Sequence, residues 1–99
     1  MAKINFRKEA KGRECQVRLV GICNSNPETV VLAHIRAAGI TGVGQKAPDL
    51  LGAWCCSSCH DAIDGRVKTD YVKDELELAH LEGVVRTLAH LIREGKVTC

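Results

Sequence analysis

The sequence predicts a small α+β domain stiffened by bound metal, with two short strands, a short helix and a long amphipathic helix that closes the fold. Three observations predict it. Residues 29 to 35 form a β-branched run of strand length. Cys56 and Cys59 stand two residues apart at the head of a helix-forming segment. From Leu81 to Ile92, apolar residues recur at helical spacing.

One domain spanning residues 1 to 99 is expected, because the chain has no internal repeat and no low-complexity linker. At 99 residues and 45% hydrophobic content a single core is only just sufficient. Phe6, Trp54 and Tyr71 are its aromatic residues, so the core must come mainly from Val, Leu, Ile and Ala. Six cysteines mean either disulfides or metal ligation, and the compartment decides between them. The N-terminus, MAKINFRKEAKGREC, lacks a signal-peptide pattern, and no apolar run is long enough to cross a membrane. The protein therefore reads as cytoplasmic and reduced, without a membrane partner, and metal is favoured over disulfides.

The net charge of +2 does not by itself announce a nucleic-acid binder. Its distribution is uneven: residues 1 to 50 carry eight Lys or Arg against four Asp or Glu, and residues 51 to 99 carry six against eight. Lys3, Arg7, Lys8, Lys11, Arg13 and Arg18 make the excess, most of it in a basic segment at 1 to 14. Such a cluster can contact phosphates. A solvated, flexible end accounts for it equally well.

The elements follow in order. Residues 15 to 20 suggest a short strand that ends in a turn at Gly21, with Cys15 and Cys23 on either side. Asn24, Ser25, Asn26 and Pro27 form a turn, and residues 29 to 35 make the next strand, with His34 near its end. Residues 36 to 48 read as a loop, since Gly39, Gly42 and Gly44 permit close backbone approaches. Residues 49 to 55 return as a second strand, and 57 to 66 form a short helix carrying His60 and Asp64. Finally, residues 71 to 94 form the closing helix, with Leu81, Val84, Val85, Leu88, Leu91 and Ile92 on one side.

The strongest chemical signal is CSSCH. Two residues between thiolates let Cys56 and Cys59 converge on one tetrahedral ion, and Cys15 with Cys23 can complete the set. The seven residues between that second pair exceed the usual knuckle spacing. A closed four-cysteine zinc site has no open position, so it serves folding and not catalysis. Free thiols or disulfides are the alternative, and a redox CxxC would want a βαβ context that this chain lacks. Cys55 and Cys99 are read as non-ligands.

His60 and Asp64 lie four residues apart, so both project from one helix face and can grip a single divalent cation. Imidazole with carboxylate suits Mg, Mn, Ni and Zn alike. Standing alone, the pair would be an ordinary helix-surface contact, and His34 an ordinary strand-end polar residue. His80 and His90 fall at the edge of the closing helix's apolar stripe and opposite it, and both are expected to lie outside any site.

LAHIR, a glycine-bearing loop and PDLLGAWCCSSCHDAID together resemble the HNH, or His-Me finger, nuclease motif with embedded zinc-binding cysteines. GRECQVRLVGICNSNPET, LAHIRAAGITGVG, PDLLG and CSSCHDAID extend the likeness over nearly the whole chain, to the small prophage-encoded nucleases of the YbcO type. The resemblance implies a ββα-metal core at 28 to 66. It implies His34 as general base, Asp49 in a slot usually filled by asparagine, and His60 and Asp64 on the metal-ligand positions. Many family members carry an acidic residue or histidine just before the base, where this chain has Ala33. Asp64 replaces the motif's last histidine, and a carboxylate is a competent hard ligand.

The implied reaction is metal-dependent hydrolysis of nucleic-acid phosphodiester bonds, with DNA the expected substrate and 5′ phosphates on the products. Arg36 and Lys46 are weak candidates for holding flanking phosphates. The main alternative is a non-catalytic, zinc-stabilised nucleic-acid-binding module on the same scaffold. A prophage accessory protein acting through a recombination or packaging factor, or a homodimer through the closing helix, is a third reading.

Overall fold

The computed structural model describes residues 4–36 and 48–97. Lys46, in the glycine-bearing loop, and Cys99 lie outside the described residues. Five elements carry the fold: α1 (Phe6–Glu9), β1 (Val31–His34), β2 (Gly52–Cys55), α2 (Ser57–Ile63) and α3 (Lys73–Arg93). Short 3-10 turns at Pro27–Thr29 and Asp49–Leu51 lead into the two strands.

β1 and β2 pair antiparallel, with Val31 opposite Cys55, Leu32 opposite Trp54, Ala33 opposite Ala53 and His34 opposite Gly52. The Ile35 amide donates to the Leu51 carbonyl at 2.9 Å and carries the pairing one step past the strand. All four residues of β2 are buried, because its free edge is covered. The Gln16 amide donates to the Trp54 carbonyl at 2.7 Å, and the Trp54 amide donates to Thr87 Oγ1 at 2.9 Å. A buried edge must find such partners, since unpaired backbone groups away from water are costly.

Helix α3 lies close against β2, and Gly83 is what allows it. A Cβ at that position would sit 2.9 Å from Val17 Cγ2 and 3.1 Å from Ala53 Cβ. The face of α3 that meets the core is therefore His80, Gly83, Val84, Thr87 and Leu91. The expected stripe is corrected: Val84 and Leu91 are buried, whereas Leu81, Val85 and Ile92 are 48, 60 and 44% exposed. Close backbone approach selects small and hydrogen-bonding residues over the larger aliphatic ones.

His90 is likewise not opposite the packed face. Its ring stacks on Trp54 with centroids 5.5 Å apart. The Arg13 guanidinium lies 4.6 Å from the centre of the same indole, so the one tryptophan anchors both chain ends. Arg13 also pairs with Glu9 and Glu94, and Lys96 joins those two carboxylates. The basic N-terminal stretch is thus partly structured. α1 is capped by Asn5, whose Oδ1 accepts from the Arg7 and Lys8 amides at 3.1 and 3.2 Å.

Residues 15 to 20 do not form the expected strand. Arg18 takes a left-handed conformation with φ 56°, and Gly21 follows at φ 80°, so the segment folds into turns. The expected strand at 29 to 35 shortens to β1 after a 3-10 turn, and the strand at 49 to 55 starts only at Gly52. The short helix stops at Ile63, with Asp64 as its C-cap.

Candidate metal centre and active site

The turns at 15 to 21 have a purpose at the cysteines. The Arg18 amide donates to Cys15 Sγ at 3.5 Å, and the Cys59 amide donates to Cys56 Sγ at 3.4 Å. A turn at Cys15 and the N-cap of α2 at Cys56 thus each aim an amide hydrogen at a sulfur. Asn24 draws the Cys23 loop to the start of α2, donating to Ser57 Oγ and Ser58 Oγ at 3.1 and 3.2 Å. The Ser57 amide in turn donates to Thr29 Oγ1 at 3.3 Å.

As a result the sulfurs of Cys15, Cys23, Cys56 and Cys59 all lie within 4.8 Å of one another, and three of these residues are buried. The Cys23 and Cys56 sulfurs are 3.8 Å apart, far beyond the ~2.05 Å of a disulfide. That separation matches the edge of about 3.8 Å expected for a tetrahedron with metal–sulfur bonds of ~2.3 Å. The quartet could hold a metal ion such as zinc. Without a cation the crowded sulfurs act on one another's ionisation at Cys15, Cys23 and Cys59. Hydrogen bonds from Cys55 and Cys59 pull the Cys15 thiol far down, the resulting thiolate pushes Cys59 up, and burial pushes Cys23 up.

Cys55 stands apart from the quartet although it adjoins it. It is fully buried, and its Sγ lies 3.5 Å from the Cys56 carbonyl oxygen, to which it donates. The neighbouring Cys15 and Cys59 sulfurs, together with burial, hold it firmly as a thiol.

The second cluster begins at the end of β1. His34 Nε2 lies 2.7 Å from Asp49 Oδ1. The register explains the contact, because His34 faces Gly52 and the turn at Asp49–Leu51 doubles back beside the strand end. The His34 hydrogen bond, ahead of the Arg7 guanidinium 3.5 Å away, lowers the Asp49 pKa and keeps the carboxyl ionised. A carboxylate only accepts hydrogen bonds, so His34 Nε2 carries the proton of this contact, which in a neutral ring leaves the lone pair on Nδ1. Arg7 was not foreseen here; it stands far from Asp49 in sequence and had only its place in the basic segment to mark it.

His60 Nε2 lies 3.3 Å from Asp64 Oδ2 across one turn of α2, as the spacing predicts. Arg66 reaches the same Asp64 oxygen at 3.3 Å. Among the described residues no third His, Cys, Asp or Glu joins this pair within the 4.8 Å that encloses the cysteine quartet. Arg36 is exposed just beyond β1.

His80, read as lying outside any site, is buried and reaches the backbone of β1. Its Nε2 lies 2.8 Å from the Ala33 carbonyl oxygen, the residue preceding His34. Burial lowers its pKa, against the opposing pull of the hydrogen bond to the Ala33 carbonyl. Donating to a carbonyl requires a protonated Nε2, so His80 holds the end of β1 from behind. A helical wheel ranks it only as an edge residue, because its partner is a backbone atom of a distant strand.

Comparison with known proteins bears on this arrangement. The family model described as "Putative nuclease YbcO" matches residues 4–96. "Putative nuclease YbcO" of Escherichia coli strain K12 is 50% identical over 96 residues, which cover 94% of this chain and 96% of that protein. Its namesake from Enterobacteria phage 82 matches to the same extent. A solved structure, described as a putative bacteriophage protein from Escherichia coli K-12, superposes with a TM-score of 0.76 at 45% identity. That match covers 92% of this chain and all of the other. With a family match over nearly its full length and half of its residues shared with two relatives, the chain belongs to the YbcO nuclease family.

Proposed function

We propose that the protein is a metal-dependent endonuclease of the HNH type, acting on nucleic acid and most readily on DNA, in the cytoplasm. The observation that carries this reading is the His34–Asp49 pair at the end of β1, in a strand–strand–helix unit whose helix bears His60 and Asp64. With Nε2–H committed to Asp49, the His34 Nδ1 lone pair takes the proton from a water attacking phosphorus. Asp49 keeps the ring in that tautomer and stabilises the imidazolium that forms. His60 and Asp64 would hold one divalent ion, Mg, Mn, Ni or Zn, which supplies positive charge for the phosphate oxygens when bound. Cys15, Cys23, Cys56 and Cys59 hold a structural zinc in this reading and take no part in the reaction. Arg36 and Lys46 are proposed to hold flanking phosphates.

Incubating the zinc-loaded protein with plasmid DNA and each divalent ion tests the proposal. His34→Ala should abolish nicking while leaving zinc content and far-ultraviolet circular dichroism unchanged. Equal nicking by variant and wild type removes His34 from the reaction. One observation favours a second reading, a nucleic-acid-binding module without catalysis: the helix pair has two ligands, and Ala33 adds none. A metal titration separates the two readings, since the enzyme takes up a second divalent ion beyond the zinc and the binding module does not.

A further inference from the structure

Helix α3 carries a second apolar face that the core does not use. Leu78, Leu81, Val85, Leu88 and Ile92 follow one another at steps of three, four, three and four residues. Leu78, Leu81, Val85 and Ile92 are 58, 48, 60 and 44% exposed, and Leu88 is half-buried at the border with the packed face. Exposed apolar residues scattered singly need no explanation, but four in one line over four turns, with Leu88 between them at the border, form a seam. Alternating steps of three and four mark the seam by which one helix packs along another. A single packed face against a sheet has no need of it.

The charges beside the seam name the partner. The first half of α3 carries Asp74, Glu75, Glu77 and Glu82 against Lys73 alone, while the second half carries Arg86 and Arg93 and no acid. Those carboxylates disfavour an anionic lipid surface or nucleic acid. They fit a helix with the opposite polarity of charge, and a second copy of α3 running antiparallel has that polarity. Glu75 and Glu82 share one flank of the seam with Arg86 and Arg93. Reversing one helix about Val85 sets Glu75 near the other copy's exposed Arg93 and brings Glu82 toward the half of the helix that holds Arg86, whose Nη1 donates to the Gln16 carbonyl of its own chain at 2.7 Å. A parallel pair would set acid against acid.

We propose that the protein self-associates as a two-fold dimer through antiparallel α3–α3 packing, with Val85 nearest the axis and Leu78 against Ile92 of the second copy. The same patch serves both copies, as a closed two-fold interface requires. The proposal does not depend on the nuclease reading, because no residue of the seam belongs to either cluster described above.

Sedimentation equilibrium of the full, zinc-loaded chain across the micromolar range should give twice the 10.8 kDa chain mass. A mass of one chain throughout overturns the proposal. Leu81→Glu combined with Val85→Glu should raise the dimer dissociation constant by about a hundredfold or more, because facing like charges cost several kcal/mol. Both positions are exposed, so zinc content and circular dichroism should stay as in wild type; an unchanged mass distribution in this folded variant moves the interface elsewhere and overturns the assignment. Orientation is read independently with a benzophenone photo-cross-linking residue in place of Leu78. Cross-links should reach the peptide containing Ile92, and cross-links to position 78 of the second copy would show a parallel pair and refute the arrangement.

Discussion

His34 and Asp49 are 15 residues apart in the chain and 2.7 Å apart in space, and of the carboxylate's two tasks in the proposed reaction, fixing the tautomer is taken to outweigh stabilising the imidazolium. That task needs an acceptor at Oδ1 more than it needs a negative charge. Asp49→Asn keeps an acceptor oxygen in the same place, so it should retain most activity and lose at most about tenfold. Asp49→Ala leaves the ring free to turn and to protonate at the wrong nitrogen, and should cost a large share of the ~10²–10⁴ that a positioned base contributes. Steady-state nicking rates of the two variants check this, with His34→Ala as the floor. Equal losses in Asn and Ala variants would show that charge, and not orientation, is what Asp49 supplies. Sequence spacing alone did not pair these residues. The family likeness placed Asp49 in the motif, and the register of a two-stranded sheet made the contact.

At the level of elements, what was legible in the sequence depended on whether a residue's neighbours were local. The i,i+4 pair of His60 and Asp64 and the β-branched run that became β1 were legible because chain geometry within one element determines them. Residues 15 to 20 read as a strand by propensity, but the amide–sulfur bond at Cys15 and the left-handed Arg18 belong to a four-cysteine arrangement completed some forty residues later. The face of α3 was misjudged for a related reason: hydrophobicity ranks Leu81 and Val85 above Gly83 and Thr87, whereas the sheet selects for closeness. Gly83 makes this testable. Alanine in a helix interior usually gains about 1 kcal/mol over glycine, but here its methyl group would press on Val17 and Ala53 at 2.9 and 3.1 Å. Gly83→Ala should therefore destabilise the protein by about 1–3 kcal/mol, as overpacking does. Urea unfolding of the zinc-loaded protein measures it, and a stabilised variant would mean that α3 can lift from β2 without cost.

For the molecule as a whole, the size of the core sets how much a metal on the four cysteines, as proposed above, would contribute to folding. The buried apolar set is small, with Trp54 its one large aromatic and several of its members cysteines. Domains of this kind have net stabilities of ~5–15 kcal/mol. A structural zinc on thiolates contributes an apparent ~10–16 kcal/mol in small zinc modules, which is as large as the whole margin. Withdrawing such an ion would also leave four crowded sulfurs, with the Cys15 thiol pulled far down and those of Cys23 and Cys59 pushed up. Stripping zinc with a strong chelator should therefore unfold β2, α2 and the turns at 15 to 21 together. Circular dichroism and a colorimetric zinc assay should then follow the same curve. Cys59→Ser should lose the ion and the fold. Cys55→Ser, one residue from the quartet and held as a buried thiol, should keep both with only a modest fall in melting temperature. A chain that gives up its zinc and retains its circular dichroism would place the stability of the fold in the Trp54 core and its ion pairs.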